Sequence, residues 1–455
     1  MPVWNQTNAK HLLARALFGY SRKNLETALS TSLENFVDNF LLANVAAPPI
    51  PAAWTWLNDK PDPNAPNGER NREMIAWWFG LMANEGTSMR EKMVLFWHNH
   101  YVSEYEKVNF PQILHLQNKL FRDNAFGNFK QLTKLVTIDP AMLIYLDGQL
   151  NNRNAPNENY GRELLELFTI GIGHYTETDV KEAARSLTGW QNNYDNGIKS
   201  VLNRNRFDNT NKTFMGQTGN FGYEEIINII FNKEETAKFL CRKLYKEFVY
   251  ATPDENFITQ MANVFRNNDY NIKPLLSFLF KSEHFYKPEF IGVKIKSPVE
   301  LLVGTVKYFD IANADTNYMR EAASPLQQVL FDPPNVKGWQ GQRNWISTTS
   351  YPLRNQYTDA IINNRKANGV ATASRLPMLS YARSYKSAEN AVQFVQDIVD
   401  LMYQFPISKQ RQESLLTTLL SGTTVANWTT NTPQAEQRIQ QFFRTLMRTP
   451  EYQLC

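Results

Sequence analysis

Four of the six histidines (His98, His100, His115, His174) fall between positions 98 and 174, and the first two belong to the run WHNH at residues 97–100. A carboxylate-rich stretch, PNENYGRELLELFTIGIGHYTE, follows at residues 156–177. Two imidazoles with several carboxylates are the ingredients of a divalent metal site or of a general acid/base pair. The candidate metal ligands are His98, Glu163 and Glu166. His98 or His100 is the candidate base, Arg162 the group that would hold an anionic substrate, and Asp147 in YLDGQ a further carboxylate for the same pocket. Helical geometry restrains this picture. At 100° per residue, side chains two apart point about 200° apart, so both imidazoles reach one ion only if the helix ends or distorts there.

Each candidate has a plainer alternative. A histidine flanked by aromatic residues can be a core residue bonded to a carbonyl. On a helix over 158–170, Tyr160, Leu164, Leu167 and Phe168 make the apolar face, and Glu158, Asn159, Arg162, Glu163 and Glu166 a contiguous polar arc. That arc either lines a pocket or is solvated, with Arg162 paired to Glu158 and Glu166 at spacings of four. Asp147 before Gly148 reads equally as a turn residue, Glu91 as a cap, and Glu177 as a first-turn carboxylate favoured by the helix dipole. A third candidate is the loop from Lys337-Gly338-Trp339 to Trp345, whose tryptophans either stack on a sugar or a partner surface or plug the core. Asp208 and Lys212 form either a buried ion pair or a simple turn.

The elements that must position these residues are mostly helical. Residues 9–18 place Leu12, Leu13, Ala16 and Leu17 on one side and stop at Gly19. Residues 44–71 (NVAAPPIPAAWTWLNDKPDPNAPNGERN) read as irregular, with helix resuming near Asn71. Ser88 and Glu91 have capping-box spacing for a helix running to about Ser103. Asp139-Pro140 opens a short helix to about Leu146. Asn157 caps the carboxylate helix, and Thr176 with Asp179 caps the next, ended by Gly189. Residues 200–223 form a polar insertion with room for a small β-hairpin, and long helices fill 224–285. The Gly/Pro/Trp segment 324–354 reads as loop, and 388–455 as helical again. The expectation is an all-α chain, one large helical array over 1–455 with long irregular loops.

Composition excludes several classes. The 455 residues carry 48 Lys and Arg against 44 Asp and Glu, a net charge of +4, which supplies no basic footprint for nucleic acid. Apolar runs are too short for a membrane span. Two cysteines, Cys241 and Cys455, exclude a disulfide scaffold and a cysteine-rich zinc site. No signal peptide is readable at residues 1–20, so the default compartment is cytoplasmic. Asparagine occurs 47 times, which favours many caps and turns. The chain has no Gly-x-Ser-x-Gly, P-loop, dinucleotide fingerprint or His-Glu-x-x-His, and no histidine with Glu three residues before it, as a di-iron bundle requires.

In order along the chain come HLLARALFG (11–19), EKMVLFWHNHY (91–101), DPAMLIYLD (139–147), NENYGRELLELFTIGIGHYTETDVKEAARSLTGW (157–190), KTFMGQTGNF (212–221), KSPVELL (296–302) and FDPPNVKGWQGQRNWI (331–346). This series resembles the bacterial family catalogued as domain of unknown function 1800, from about residue 9 to the C-terminus. The family has no established activity. The resemblance implies export for many relatives and a co-expressed partner from another uncharacterised family with a sulfatase-like look. It places His11, Arg15, His98, His100, Asp147, Asn157, Glu158, Arg162, Glu163, Glu166 and Trp339 on motif positions. One departure is Phe207-Asp208, where His-Asp is expected. Two functions remain open: a hydrolase-like, metal-assisted enzyme with a His/Glu/Arg pocket, or a helical scaffold that binds a co-expressed protein or a glycan.

Overall fold

The computed structural model describes residues 2–455. Among these there are twenty-two α-helices and two separate two-stranded antiparallel sheets, so the chain is mainly α. The capping chemistry works largely as the residue types require. Asp139 accepts from the Met142 amide at 3.1 Å to open Pro140–Tyr145, and Asn157 accepts from the Asn159 amide at 3.0 Å to open Glu158–Glu163. Thr176 and Asp179 form a reciprocal capping box on Glu177–Ser186.

Several boundaries shift. The helix after the Pro/Asn-rich excursion begins at Asn67 and runs to Asn84. The WHNH helix spans Arg90–His100 and stops three residues before the expected Ser103. The first sheet pairs Trp190–Asn193 with Lys199–Leu202 and so straddles the start of the expected insertion, and the second pairs Lys212–Phe214 with Gln217–Gly219 as the small hairpin inside it. Segment 324–354 is largely irregular, with a 3-10 turn at Gln342–Trp345 and a helix, Ser350–Asn363, that starts inside it.

Two local expectations, one for a side chain and one for a helix, are corrected. Glu91 is not a cap. It is 1 % exposed and chelates Arg122 at 2.6 and 2.7 Å while accepting from the Trp78 indole at 2.9 Å. Its spacing from Ser88 fits a capping box, but the Arg122 guanidinium offers a charge-assisted bond that a backbone amide cannot match. The carboxylate helix is also not one regular α-helix. After Glu163 it opens into a π-helical turn over Leu164–Thr169. The wider turn brings Leu165 into the core and leaves Leu167 half-buried.

One hydrophobic cluster runs from Ala9 to Cys455. The N-terminal helix Gln6–Ala16 is threaded through it by polar side chains. His11 Nε2 meets the Phe285 carbonyl at 3.0 Å, and Arg15 donates to the Val249 and Phe290 carbonyls at 3.1 and 2.5 Å. The helix end passes so close to Pro298–Tyr308 that a Cβ on Gly304 would lie 2.8 Å from the Phe18 carbonyl oxygen. Helix propensity favours alanine over glycine by about 1 kcal/mol. The contact is with backbone that cannot swing aside, and overpacking of this kind costs about 1–3 kcal/mol. Gly304→Ala is therefore expected to destabilise the fold, read as a lower urea midpoint at unchanged m-value. An unchanged or raised midpoint would show that the two segments separate freely.

Candidate functional site

The WHNH helix presents its two histidines to opposite sides, as their spacing requires. His98 enters an aromatic cage, its ring 5.5 to 5.7 Å from those of Trp78, Phe331 and Trp339. Its Nε2 is buried without a hydrogen-bond partner, and burial pushes its pKa down to about 3. His100 lies against the π turn, with Nε2 3.0 Å from the Phe168 carbonyl and Nδ1 3.0 Å from Lys243 Nζ. Burial and the Lys243 charge hold His100 well below the ordinary imidazole range.

The hydrogen bonds of His100 assign its protons. A carbonyl only accepts, so Nε2 carries the hydrogen, and the bare Nδ1 must accept from Lys243. Lys243, on Glu234–Phe248, also donates to the Leu167 carbonyl at 2.8 Å. Two of its three N–H directions are thereby fixed, and the amine lines a groove on its remaining side. Burial, then the neighbouring Lys246 charge, lowers the Lys243 pKa to about 7.

That groove has a volume of about 270 Å³. Its walls bring together the WHNH helix, the helix Glu234–Phe248, the start of Pro298–Tyr308 and the loop at 337–345. Five lysines face it (Lys92, Lys243, Lys246, Lys294, Lys337) with two carboxylates, Glu247 and Glu300. Glu300 pairs with Lys92 and, at 3.1 Å, with Lys294, and Glu247 lies 3.3 and 3.0 Å from the same two ammonium groups. Both acids are thus taken by Lys92 and Lys294. Among the described residues, Lys243, Lys246 and Lys337 have no carboxylate within 4 Å, so the groove presents an excess of positive charge.

The loop wall is held by one side chain. Asn99 Oδ1 accepts from the Trp339 amide at 2.7 Å, and Asn99 Nδ2 donates to the Trp339 carbonyl at 3.3 Å. Gly338 permits this approach: its φ is +71°, and a Cβ there would lie 2.2 Å from Asn99 Oδ1. Trp339 and Trp345 turn inward and are buried, so the loop plugs the core and offers no open stacking platform.

A family model described as "Protein of unknown function (DUF1800)" matches residues 11–454. The chain belongs to this family. No curated protein and no solved structure matches it. In this DUF1800 protein residues of the WHNH, KSPVELL and KGW motifs line one groove, and the π turn supplies the carbonyls that hold His100 and Lys243 at its edge.

The carboxylate arc lies at the groove's margin. Arg162 is occupied by acids, bidentate to Glu177 at 2.9 and 2.7 Å and 3.3 Å from Glu158. Glu166 accepts from the Tyr175 hydroxyl at 3.1 Å and lines a shallower pocket of about 420 Å³, which shares Lys243, Lys337 and Gln340 with the groove. Glu163 is half-buried, and its carboxyl is raised by burial and by the Glu166 charge, with Lys337 and Arg162 opposing. Asp147 ends the short helix with φ +57° and pairs with Lys107 at 2.9 Å. Asp208 bonds Arg185 at 2.8 Å, while Lys212 donates to the Asp208 carbonyl and sits 4.7 Å over the Phe207 ring.

The expected metal set does not form. Among the described residues, no three His, Cys, Asp or Glu side chains are gathered in a way that could hold an ion. His98 is sealed behind Trp339, whereas Glu163 and Glu166 lie at the groove margin, so His98, Glu163 and Glu166 are not a donor set.

Sequence reasoning passed over Asn99 and Lys243. Asn99, inside WHNH, is neither titratable nor a common metal ligand, and nothing local marks it. Lys243 has Glu247 four residues on, the spacing of a helical ion pair. That acid is drawn instead to Lys92 and Lys294, which only the fold brings close. Asn99→Ala leaves the Trp339 amide unpaired, a loss of about 1–3 kcal/mol. The expected result is a lower melting temperature with faster proteolysis within 335–345; unchanged proteolysis would remove Asn99 as the clamp.

Proposed function

We propose that this protein is a hydrolase-type enzyme that holds an anionic group of its substrate in the lysine-lined groove and uses Lys243 for proton transfer. The observation that carries this reading is the fixed environment of Lys243. Its two hydrogen bonds, to the Leu167 carbonyl and His100 Nδ1, are both donated, so the lone pair of the neutral amine is directed to the groove side. A base is most effective when its pKa lies near the working pH, and Lys243 is lowered to about 7. The neutral amine accepts the proton of an attacking water, and the ammonium so formed returns it to the leaving group. Lys246 and Lys337 supply charge to the anion, and His100 positions Lys243 without titrating. No metal is needed in this scheme.

A second reading, a scaffold for a co-expressed protein or a glycan, is favoured by the motif residues outside the groove. His11 and Arg15 spend their hydrogen bonds on buried carbonyls, which accounts for them as structure.

The two readings separate at Lys243. Its rate of acetylation by trace acetic anhydride, followed by peptide mass spectrometry from pH 5 to 10, is expected to rise with a midpoint near 7. Inorganic sulfate is expected to move that midpoint upward, since an anion favours the ammonium. A midpoint near 10.4, the ordinary lysine value, with no response to sulfate would contradict the enzyme reading. The same shift gives a stability signature. With the folded pKa below the unfolded one, the contribution is fully present above the unfolded value and is lost as pH falls through about 7.

A further inference from the structure

The excursion at 44–58 arches over a second cavity, of about 770 Å³, whose lining shares no residue with the lysine groove. This volume lies within the range typical of small-molecule sites. Its apolar walls include Val45, Ile50, Leu57, Trp77, Leu116 and Phe126. The arch touches down at two points: the Trp77 indole donates to the Pro49 carbonyl at 3.3 Å, and Arg90 donates to the Val45 and Ala46 carbonyls at 2.8 and 2.6 Å. Val45 and Ile50 remain 40 % and 43 % exposed, an apolar area that nothing in the chain covers among the described residues.

His115 packs its ring 5.5 Å from Trp77 and 6.1 Å from Trp54 and adds to the aromatic side of the wall. One cation in this cavity has no acid beside it. Lys273 lines the same cavity and, among the described residues, has no carboxylate within 4 Å. The other cations are matched: Lys119 pairs with Asp123 at 2.5 Å, and Arg122 is chelated by Glu91.

We infer that this cavity binds an amphipathic carboxylate, with its apolar body between Trp77, Leu57 and Phe126 and its head group toward Lys273. An uncharged apolar ligand would leave Lys273 unmatched, and a small hydrophilic anion would leave the apolar walls wet. This site stands independently of the lysine groove.

Isothermal titration of the full chain with decanoate at pH 7.5 tests the inference. One decanoate per chain is expected. Lys273→Gln is expected to weaken binding about fivefold, the upper range for a half-exposed ion pair, and Leu116→Trp to abolish it by filling the cavity in a protein whose circular dichroism is unchanged. Absence of saturable one-to-one binding would overturn the inference. So would affinity unchanged by Lys273→Gln, which remains informative if Leu116→Trp fails to fold.

Discussion

The Glu300 carboxylate, 3 % exposed, is the charge on which the arrangement of the groove depends. It closes the capping box of Pro298–Tyr308 by accepting from the Ser297 amide at 2.6 Å, and it binds Lys92 from the WHNH helix and Lys294 from the preceding loop. Burial alone would raise this carboxyl, but Lys294 and Lys92 outweigh it and hold it well below the usual range. Removing one partner from such a buried cluster costs about 3–5 kcal/mol, because the remaining charges stay buried and unmatched. The cluster thus locks the WHNH helix and Pro298–Tyr308 in one relative position.

The same cluster explains why the groove is positive. Glu247 stands one turn beyond Lys243 on the same helix and would neutralise it if that helix were isolated. Lys92 and Lys294 claim it instead, leaving Lys243 to a carbonyl and an imidazole. An amine surrounded by neutral dipoles, and next to a second ammonium, loses its proton more easily than one beside an acid. The structural charge network and the chemistry proposed for the groove are therefore two results of one competition for carboxylates. The π turn at Leu164–Thr169 belongs to the same design, since it turns the Leu167 and Phe168 carbonyls toward Lys243 and His100.

Much of the fold is legible in the sequence because caps and periodicity act locally. Asp139, Asn157 and the Thr176/Asp179 pair fix helix starts within a few residues of themselves, and the 200° separation of His98 from His100 holds in the structure. The site is less legible because its contacts are distant. Asn99 reaches Trp339 across 240 positions, and Lys92 reaches Glu300 across 208. The polar arc at 158–166 lies beside the lysine groove, but Arg162 spends its charge on Glu177 and Glu158, and the WHNH imidazoles pack against aromatic rings and a backbone carbonyl. Local spacing gives a residue's direction on its helix; it does not say which of several acids a lysine will meet.

The proposed chemistry requires an anion site made by three lysines left without acids, between the WHNH helix and the KGW loop. Crystals of the full chain soaked in sodium tungstate would reveal it through the anomalous signal of the bound oxyanion. The expected result is a peak within hydrogen-bonding reach of Lys243 together with Lys246 or Lys337. A fully occupied peak elsewhere with an empty groove, or no peak near Lys243 at saturating tungstate, would contradict it.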